Sequence, residues 1–149
     1  MIPPDGLTDE EVKAVLENSK RIMVIGMSRD PAKAAGEVPL FLRSVGYEII
    51  PVNPFAEQIS GIKAYKSFSD FQETVDVIDV FRPSVELPTL VDELKGAYRV
   101  LWLQEGIYDD SVRRLKGKLV VWNRCMMKEY KRLILKDYHS PRFNGRAKA

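Results

Sequence analysis

The sequence contains little of what several common kinds of functional site require. It has one cysteine, Cys125, and one histidine, His139, among 149 residues. An intrachain disulfide needs two cysteines and is excluded, and a structural zinc site is strongly disfavoured because such sites draw on several cysteine and histidine ligands. A Ser-His or Cys-His catalytic pair is disfavoured as well, since the single histidine lies in a polar C-terminal segment.

Long apolar runs and a strong excess of charge are also missing. No apolar run approaches the roughly 20 residues that cross a bilayer, and the N-terminus has neither the basic nor the apolar segment of a signal peptide. We therefore expect a cytoplasmic location and no membrane partner. The formal net charge of +2 is too small to indicate nucleic acid as a partner. The basic residues Arg142, Arg146 and Lys148 fall in a segment, 136–149, that we expect to be a flexible tail.

What is present favours a globular domain. Hydrophobic residues make up 45% of the chain and charged residues 30%, a balance typical of a soluble folded protein. The length suits one domain, which we expect to span residues 1–149 with its core at about 20–135. A capping box at Thr8 and Glu11 indicates a first helix that ends near Ser19.

Five short apolar segments alternate with helical patterns along the rest of the chain. Because these segments are continuously apolar, both faces of the sheet should be covered by helices. This pattern predicts an α/β fold of Rossmann-like, doubly wound type, with a mostly parallel five-stranded sheet in three layers. We expect the strand order 3-2-1-4-5. The predicted strands are residues 21–25, 47–52, 75–81, 99–103 and 119–122, and the later helices are residues 35–45, 84–94, a helix opening at 109–110, and 126–135.

The end of the first strand has the form of a phosphate-binding turn. The apolar run stops at Gly26, and a small polar loop leads into a helix whose N-terminus would favour an anion. The turn reads Gly-x-Ser and has neither the further glycines of the Gly-x-Gly-x-x-Gly motif nor the Gly-Lys-Ser/Thr of a Walker loop.

Polar or basic residues occur at all five predicted strand ends. In an open parallel sheet these ends share one edge, where the ligand lies. We expect Arg29, Arg82 and Arg124, with Lys33 nearby, to face one anionic ligand. The predicted binding residues are Gly26, Met27, Ser28, Arg29 and Lys33; Val52, Asn53 and Pro54; Phe81, Arg82 and Pro83; Gln104, Glu105 and Gly106; and Asn123, Arg124 and Cys125.

A nicotinamide dinucleotide fits this set of strand ends less well. Binding of NAD usually places an Asp or Glu at the end of the second strand to hold the ribose hydroxyls. Here that position offers Val52 and Asn53, and Pro54 would stiffen the loop. An NAD(P)-binding domain in which Arg29 holds a 2′-phosphate is kept as an alternative.

The segments that carry these strand ends resemble the CoA-binding domain family, the small proteins similar to the amino-terminal domain of succinyl-CoA synthetase alpha subunits. The resemblance covers about residues 20–133. It implies a Rossmann-like fold with coenzyme A (CoA) or acyl-CoA as ligand. The turn at residues 26–29 would approach the phosphates, 53–54 the adenosine end, 81–83 the middle of the ligand and 104–106 the pantetheine arm. The matching segments are 24–28, 46–54, 75–82, 102–106 and 123–126.

This chain lacks the extra glycines of the synthetase loop and any ligase or phosphohistidine segment, so the resemblance does not extend to ligase activity. Our first hypothesis is a CoA-binding protein without catalysis of its own. The alternative is an enzyme that acts on a CoA thioester, with Glu105 or Asp79 as acid or base. For Asp79 we weigh equally a structural role in which its carboxylate accepts backbone N–H bonds. A homo-oligomer or a protein partner is left open.

Cys125 allows two interpretations. Beside Arg124 and at a helix N-terminus its thiol pKa would fall, so a mixed disulfide with CoA is a hypothesis with a mechanism. The favoured interpretation is a small buried residue that packs against the neighbouring methionines.

Overall fold

The structure, a computed structural model, describes residues 1–135. The predicted tail at 136–149 and His139 lie outside the described residues. The α-helices are α1 Asp9–Asn18, α2 Ala34–Ser44, α3 Leu87–Glu93 and α4 Met126–Tyr130. The strands are β1 Arg21–Ile25, β2 Glu48–Val52, β3 Gln58–Ile59, β4 Ile62–Lys63, β5 Val77–Val80, β6 Val100–Leu103 and β7 Leu119–Val121.

Five strands form one parallel sheet in the order β2-β1-β5-β6-β7. Side chains alternate along each strand and supply two cores. Ile22 and Val24 of β1 belong to the core under α1, α2 and α4, whereas Met23 and Ile25 belong to the core under α3. Helices therefore cover both faces of the sheet, which confirms the predicted three-layer, Rossmann-like α/β fold.

The predicted strand order was wrong. Counting only the strands of the large sheet, the order is 2-1-3-4-5, so β5 lies beside β1 and β2 forms an edge. The physical reason is Pro51, which lies inside β2. Its ring nitrogen has no hydrogen to donate, which an edge strand tolerates and a central strand does not. On the open side, the Pro51 carbonyl instead accepts a hydrogen bond from Tyr65 N at 2.9 Å.

The corrected order moves the point where the chain reverses direction across the sheet. Ligands of open α/β sheets bind beside this point, at the carboxyl ends of the strands. The reversal now lies between β1 and β5, whose ends carry Gly26 and Arg82. The site is therefore expected at the same end of the sheet as before, with the first and third predicted strands at its centre.

Several helices and turns differ in detail from the predicted ones. The capping box at Thr8 and Glu11 is confirmed. The helix predicted to open at residues 109–110 is a five-residue 3-10 helix, Asp110–Arg114. The last helix continues from α4 as a π-helix, Lys131–Leu135. Within residues 1–135, no helix is long and apolar enough to span a membrane.

Candidate functional site

The turn after β1 has a backbone shape that requires glycine. Gly26 has a φ of +87°, and its N–H donates to the Val52 carbonyl at 3.0 Å. A Cβ atom at this position would lie 2.8 Å from Arg82 Cδ and 2.9 Å from the Phe81 carbonyl oxygen. The ends of β1, β2 and β5 consequently meet at Gly26, and the Arg82 side chain crosses directly over it.

The loop from Gly26 to Lys33 is tied to α2 by an unusual feature of that helix. Pro39 lies inside α2 and lacks the N–H that would normally bond to the Ala35 carbonyl four residues earlier. That carbonyl accepts a hydrogen bond from Ser28 N at 3.0 Å instead. A Cβ atom on Gly36 would lie only 2.2 Å from the Asp30 carbonyl oxygen, so the loop also presses against the first turn of the helix.

Asn53 joins this loop to the end of β2. Its side-chain Nδ2 donates to the Met27 carbonyl at 2.9 Å, and its Oδ1 accepts from Phe55 N at 2.8 Å. The Nδ2 bond therefore joins the two loops, and the Oδ1 bond fixes the turn of the Asn53 loop itself. Hydrogen bonds within the chain thus hold the turn at Gly26, the start of α2 and the Asn53-Pro54 loop against one another.

A cavity of about 950 Å³ opens above these three loops. Its floor contains seven of the predicted residues, and its outer walls come from the segment after β4 and from the helical residues after β5. The predicted residues that line it are Gly26, Met27, Ser28, Val52, Asn53, Pro54 and Arg82. The residues that the sequence analysis missed are Ile25, Phe55, Lys66, Ser67, Phe68, Ser69, Val85, Glu86, Thr89, Leu90 and Glu93.

Two of the missed residues are exposed hydrophobic side chains at the cavity. Phe55 is 82% exposed and Val85 is 83% exposed. Phe55 directly follows Asn53 and Pro54, so it could have been predicted from the sequence as a residue of the site. The segment 66–69 has no such signal, because it reaches the cavity only through the bridge between Val52 and Tyr65 at the edge of the sheet.

The remaining predicted residues lie beside the cavity and do not line it. Arg29 and Lys33 are exposed on the loop, and Phe81 and Pro83 flank Arg82 at the end of β5. At the ends of β6 and β7, Glu105 pairs with Lys128 at 3.0 Å, and Gly106 N donates to Asn123 Oδ1 at 2.7 Å. Gln104 Oε1 accepts from Met126 N, while Cys125 is buried in the core. Their roles in binding stay predictions.

Arg124 does not line the cavity and is engaged with other residues of the chain. Its guanidinium donates to both carboxylate oxygens of Asp5 at 2.8 Å and to Glu129 Oε1 at 2.7 Å. The Asp5 hydrogen bond is the main reason that the pKa of Arg124 is raised. Of the three arginines, Arg82 alone lines the cavity.

Asp79 differs from its expected structural role. It is fully buried, and neither carboxylate oxygen has a hydrogen-bond partner among the described residues, so the expected backbone N–H bonds are not formed. Burial raises the pKa of Asp79 well above its ordinary value. The neighbouring Asp76 has that role instead, since its Oδ2 accepts from Lys20 N at 2.8 Å and from Arg21 N at 2.9 Å.

A glycine turn, a helix start and an open cavity lie together at the reversal point of this Rossmann-like sheet, where ligands of open α/β sheets bind. The family model described as "CoA binding domain" matches residues 20–131. The chain belongs to this CoA-binding domain family, as the resemblance implied.

The chain is similar to several known proteins over most of its length. The chain is 35% identical to an uncharacterized protein, YneT, of Bacillus subtilis over 78% of this chain and 89% of that protein. It is 26% identical to an ADP-forming acetate–CoA ligase of Methanocaldococcus jannaschii over 74% of this chain but only 16% of the ligase. A solved structure of a hypothetical protein from Pyrococcus horikoshii superposes with a TM-score of 0.82 at 35% identity, covering 90% of this chain and 98% of the other.

Proposed function

We propose that this protein binds CoA or an acyl-CoA across the carboxyl ends of β1, β2 and β5, without catalysis of its own. The observation that carries the proposal is the cavity above Gly26 in a chain of the CoA-binding domain family. The diphosphate would lie over the turn at 26–29 and the start of α2, where the N–H groups of the first helical turn and the helix dipole favour an anion. The adenosine end would lie against Asn53 and Pro54.

The groups at the site favour CoA over nicotinamide coenzymes. An NAD-type ribose needs a carboxylate at the end of β2, but Asn53 stands there and uses its side chain to hold Met27 and Phe55. Lys66 and Arg82 line the cavity together with the carboxylates Glu86 and Glu93, and Arg29 and Lys33 are exposed nearby. These cations suit a ligand that carries both a diphosphate and a 3′-phosphate. A carboxylate placed to bind a ribose would repel the 3′-phosphate.

Neither of the two carboxyl groups considered as an acid or base lines the cavity. Asp79 is sealed from solvent, and Glu105 forms an ion pair with Lys128. These contacts support binding without catalysis as the first hypothesis for the site.

A ligand panel tests the proposal. The thermal midpoint of the purified protein is measured with CoA, acetyl-CoA, NAD and NADP in parallel, and binding is then titrated by calorimetry. A ligand at 100 times its Kd stabilises the protein by about 2.7 kcal/mol, so CoA or acetyl-CoA should raise the midpoint and the nicotinamide coenzymes should not. A shift with NADP alone would contradict the proposal. Release of free thiol from acetyl-CoA during the incubation would contradict the absence of catalysis.

A further inference from the structure

Arg82 reaches the cavity already paired to a carboxylate. Its Nε donates to Glu86 Oε1 at 3.0 Å and its Nη2 to Glu86 Oε2 at 2.6 Å, so two of its donors are in use. The pair joins residues four apart at the end of β5, and both residues line the cavity. The stem of Arg82 crosses Gly26, which places the guanidinium and its carboxylate partner together above the glycine turn.

Glu86 removes much of the positive charge that the cavity would otherwise have. The lining contains two cationic side chains, Lys66 and Arg82, and two carboxylates, Glu86 and Glu93. The electrostatic potentials of two opposite charges in contact largely cancel for an ion that approaches the pair. A phosphate beside Arg82 would also be repelled by Glu86. The pair is about half exposed, at 46% and 44%, so Glu86 can be exchanged for a ligand phosphate without opening the core.

We propose that Glu86 is an internal competitor for the phosphate groups of the ligand and so limits the affinity of the site for polyanions. This inference rests on the proposed CoA binding and adds a residue that sets its strength. An anion that approaches Gly26 must either displace Glu86 from Arg82 or bind to the remaining guanidinium donors in the field of a carboxylate. Ligands with more phosphate charge should be affected more than ligands with less.

Calorimetric titration of CoA and of 3′-dephospho-CoA into wild type and Glu86→Gln tests this inference. Glutamine keeps an oxygen that can accept from Arg82 and removes only the charge. We expect Glu86→Gln to bind CoA about threefold to tenfold more tightly, with a smaller gain for 3′-dephospho-CoA. The gain should shrink at high salt, because exposed charges are screened, which a merely structural role for Glu86 would not produce.

Two further variants identify the cause. Glu93→Gln removes the same charge from the cavity lining without touching the Arg82 pair, and its gain should be smaller. In the Arg82→Gln background, Glu86→Gln should lose the part of its gain that comes from freeing Arg82 and keep only the part that comes from direct repulsion, so the gain should be smaller than in the wild-type background. If wild type binds CoA and Glu86→Gln binds equally or more weakly, the inference is wrong and the proposed function stands. If wild type does not bind CoA at all, the proposed function fails and the inference fails with it.

Discussion

Gly26 lies where the ends of β1, β2 and β5 meet, with a φ of +87° and with Arg82 Cδ and the Phe81 carbonyl in contact range of any added Cβ. Gly26→Ala should therefore lower CoA affinity at least about tenfold, because the turn must shift away from Arg82 or adopt another φ. Calorimetry on the folded variant measures the loss.

Gly61→Ala is the matched control for this substitution. Gly61 has a similar φ of +79° but nothing within 4 Å of its added Cβ. It carries the backbone cost of about 1–2 kcal/mol without the overlap, so its stability should fall while its CoA affinity stays at the wild-type value. Equal affinities for Gly26→Ala and wild type would show that the ligand does not depend on this turn.

Asp79 is the residue whose ionisation should be visible in stability. Burial raises the pKa of Asp79, so the folded state retains its proton at pH values where the unfolded chain has lost it. The contribution of Asp79 to stability is therefore full below the unfolded pKa and is lost as pH rises toward the folded pKa, with a slope of at most about 1.4 kcal/mol per pH unit. Asp79→Asn removes this titration.

Urea denaturation between pH 4 and pH 8 measures the effect. The stability of Asp79→Asn relative to wild type should improve as pH rises from the unfolded pKa of Asp79 toward its folded pKa. A constant difference across this range would mean that Asp79 is already ionised in the folded state or has a partner there.

At the scale of elements, the segment before α1 is fixed to the far end of the sheet. Asp5 accepts two hydrogen bonds from Arg124, and Trp122 Nε1 donates to the Pro3 carbonyl at 2.6 Å. Burial raises the pKa of Asp5, but the Arg124 bond and the N–H groups of Leu7 and Trp122 outweigh it, so the net pKa is lowered. The stabilisation from Asp5 is present above its unfolded pKa and is lost as pH falls.

Asp5→Asn should lower the free energy of unfolding by about 1.5–3 kcal/mol at pH 7, the usual range for hydrogen bonds to charged groups. Asp110→Asn is the control, because Asp110 is 86% exposed and lies 3.7 Å from Arg113. Such surface pairs contribute about 0–1 kcal/mol. Urea denaturation at pH 7 compares the two variants. An equal small loss of stability in both would show that the Asp5–Arg124 pair does not stabilise the fold.

The sequence predicted the elements of the fold better than their arrangement. Hydrophobic pattern located all five strands of the large sheet because each is mostly apolar. β1, β5 and β6 are buried on both faces, whereas two of the three residues of β7 are only partly buried. It did not determine which strands are neighbours, because β1 and β5 are both strongly apolar and an apolar pattern does not indicate which strand it pairs with. The single informative residue was Pro51, whose missing N–H favours an edge strand and was not used.

The same difference applies to the site. Residues that directly follow strands were predicted, because parallel strands bring their carboxyl ends to one edge. Glu86 and Thr89 were missed because they reach the cavity from the helical turns after β5, and Ser67 because it precedes a short 3-10 helix that does not follow a strand of the large sheet. Arg124 was expected to face the ligand because nothing near it in the sequence reveals its partner Asp5, more than a hundred residues away.

At the scale of the whole molecule, the order of the strands explains the location of the cavity. With β5 beside β1, the crossover through α2 covers one face of the sheet and α3 covers the other. The first turns of the two crossovers diverge at the reversal point and leave the space above Gly26. The glycine turn, the Asn53 amide and Arg82 are therefore brought together by topology, from three separate parts of the chain.

The most direct test of this account is a crystal structure of the protein with CoA. The account predicts the CoA diphosphate above residues 26–29, with the adenosine end against Asn53 and Pro54 and a phosphate oxygen within hydrogen-bond distance of Arg82. A diphosphate bound away from the ends of β1 and β5 would contradict it.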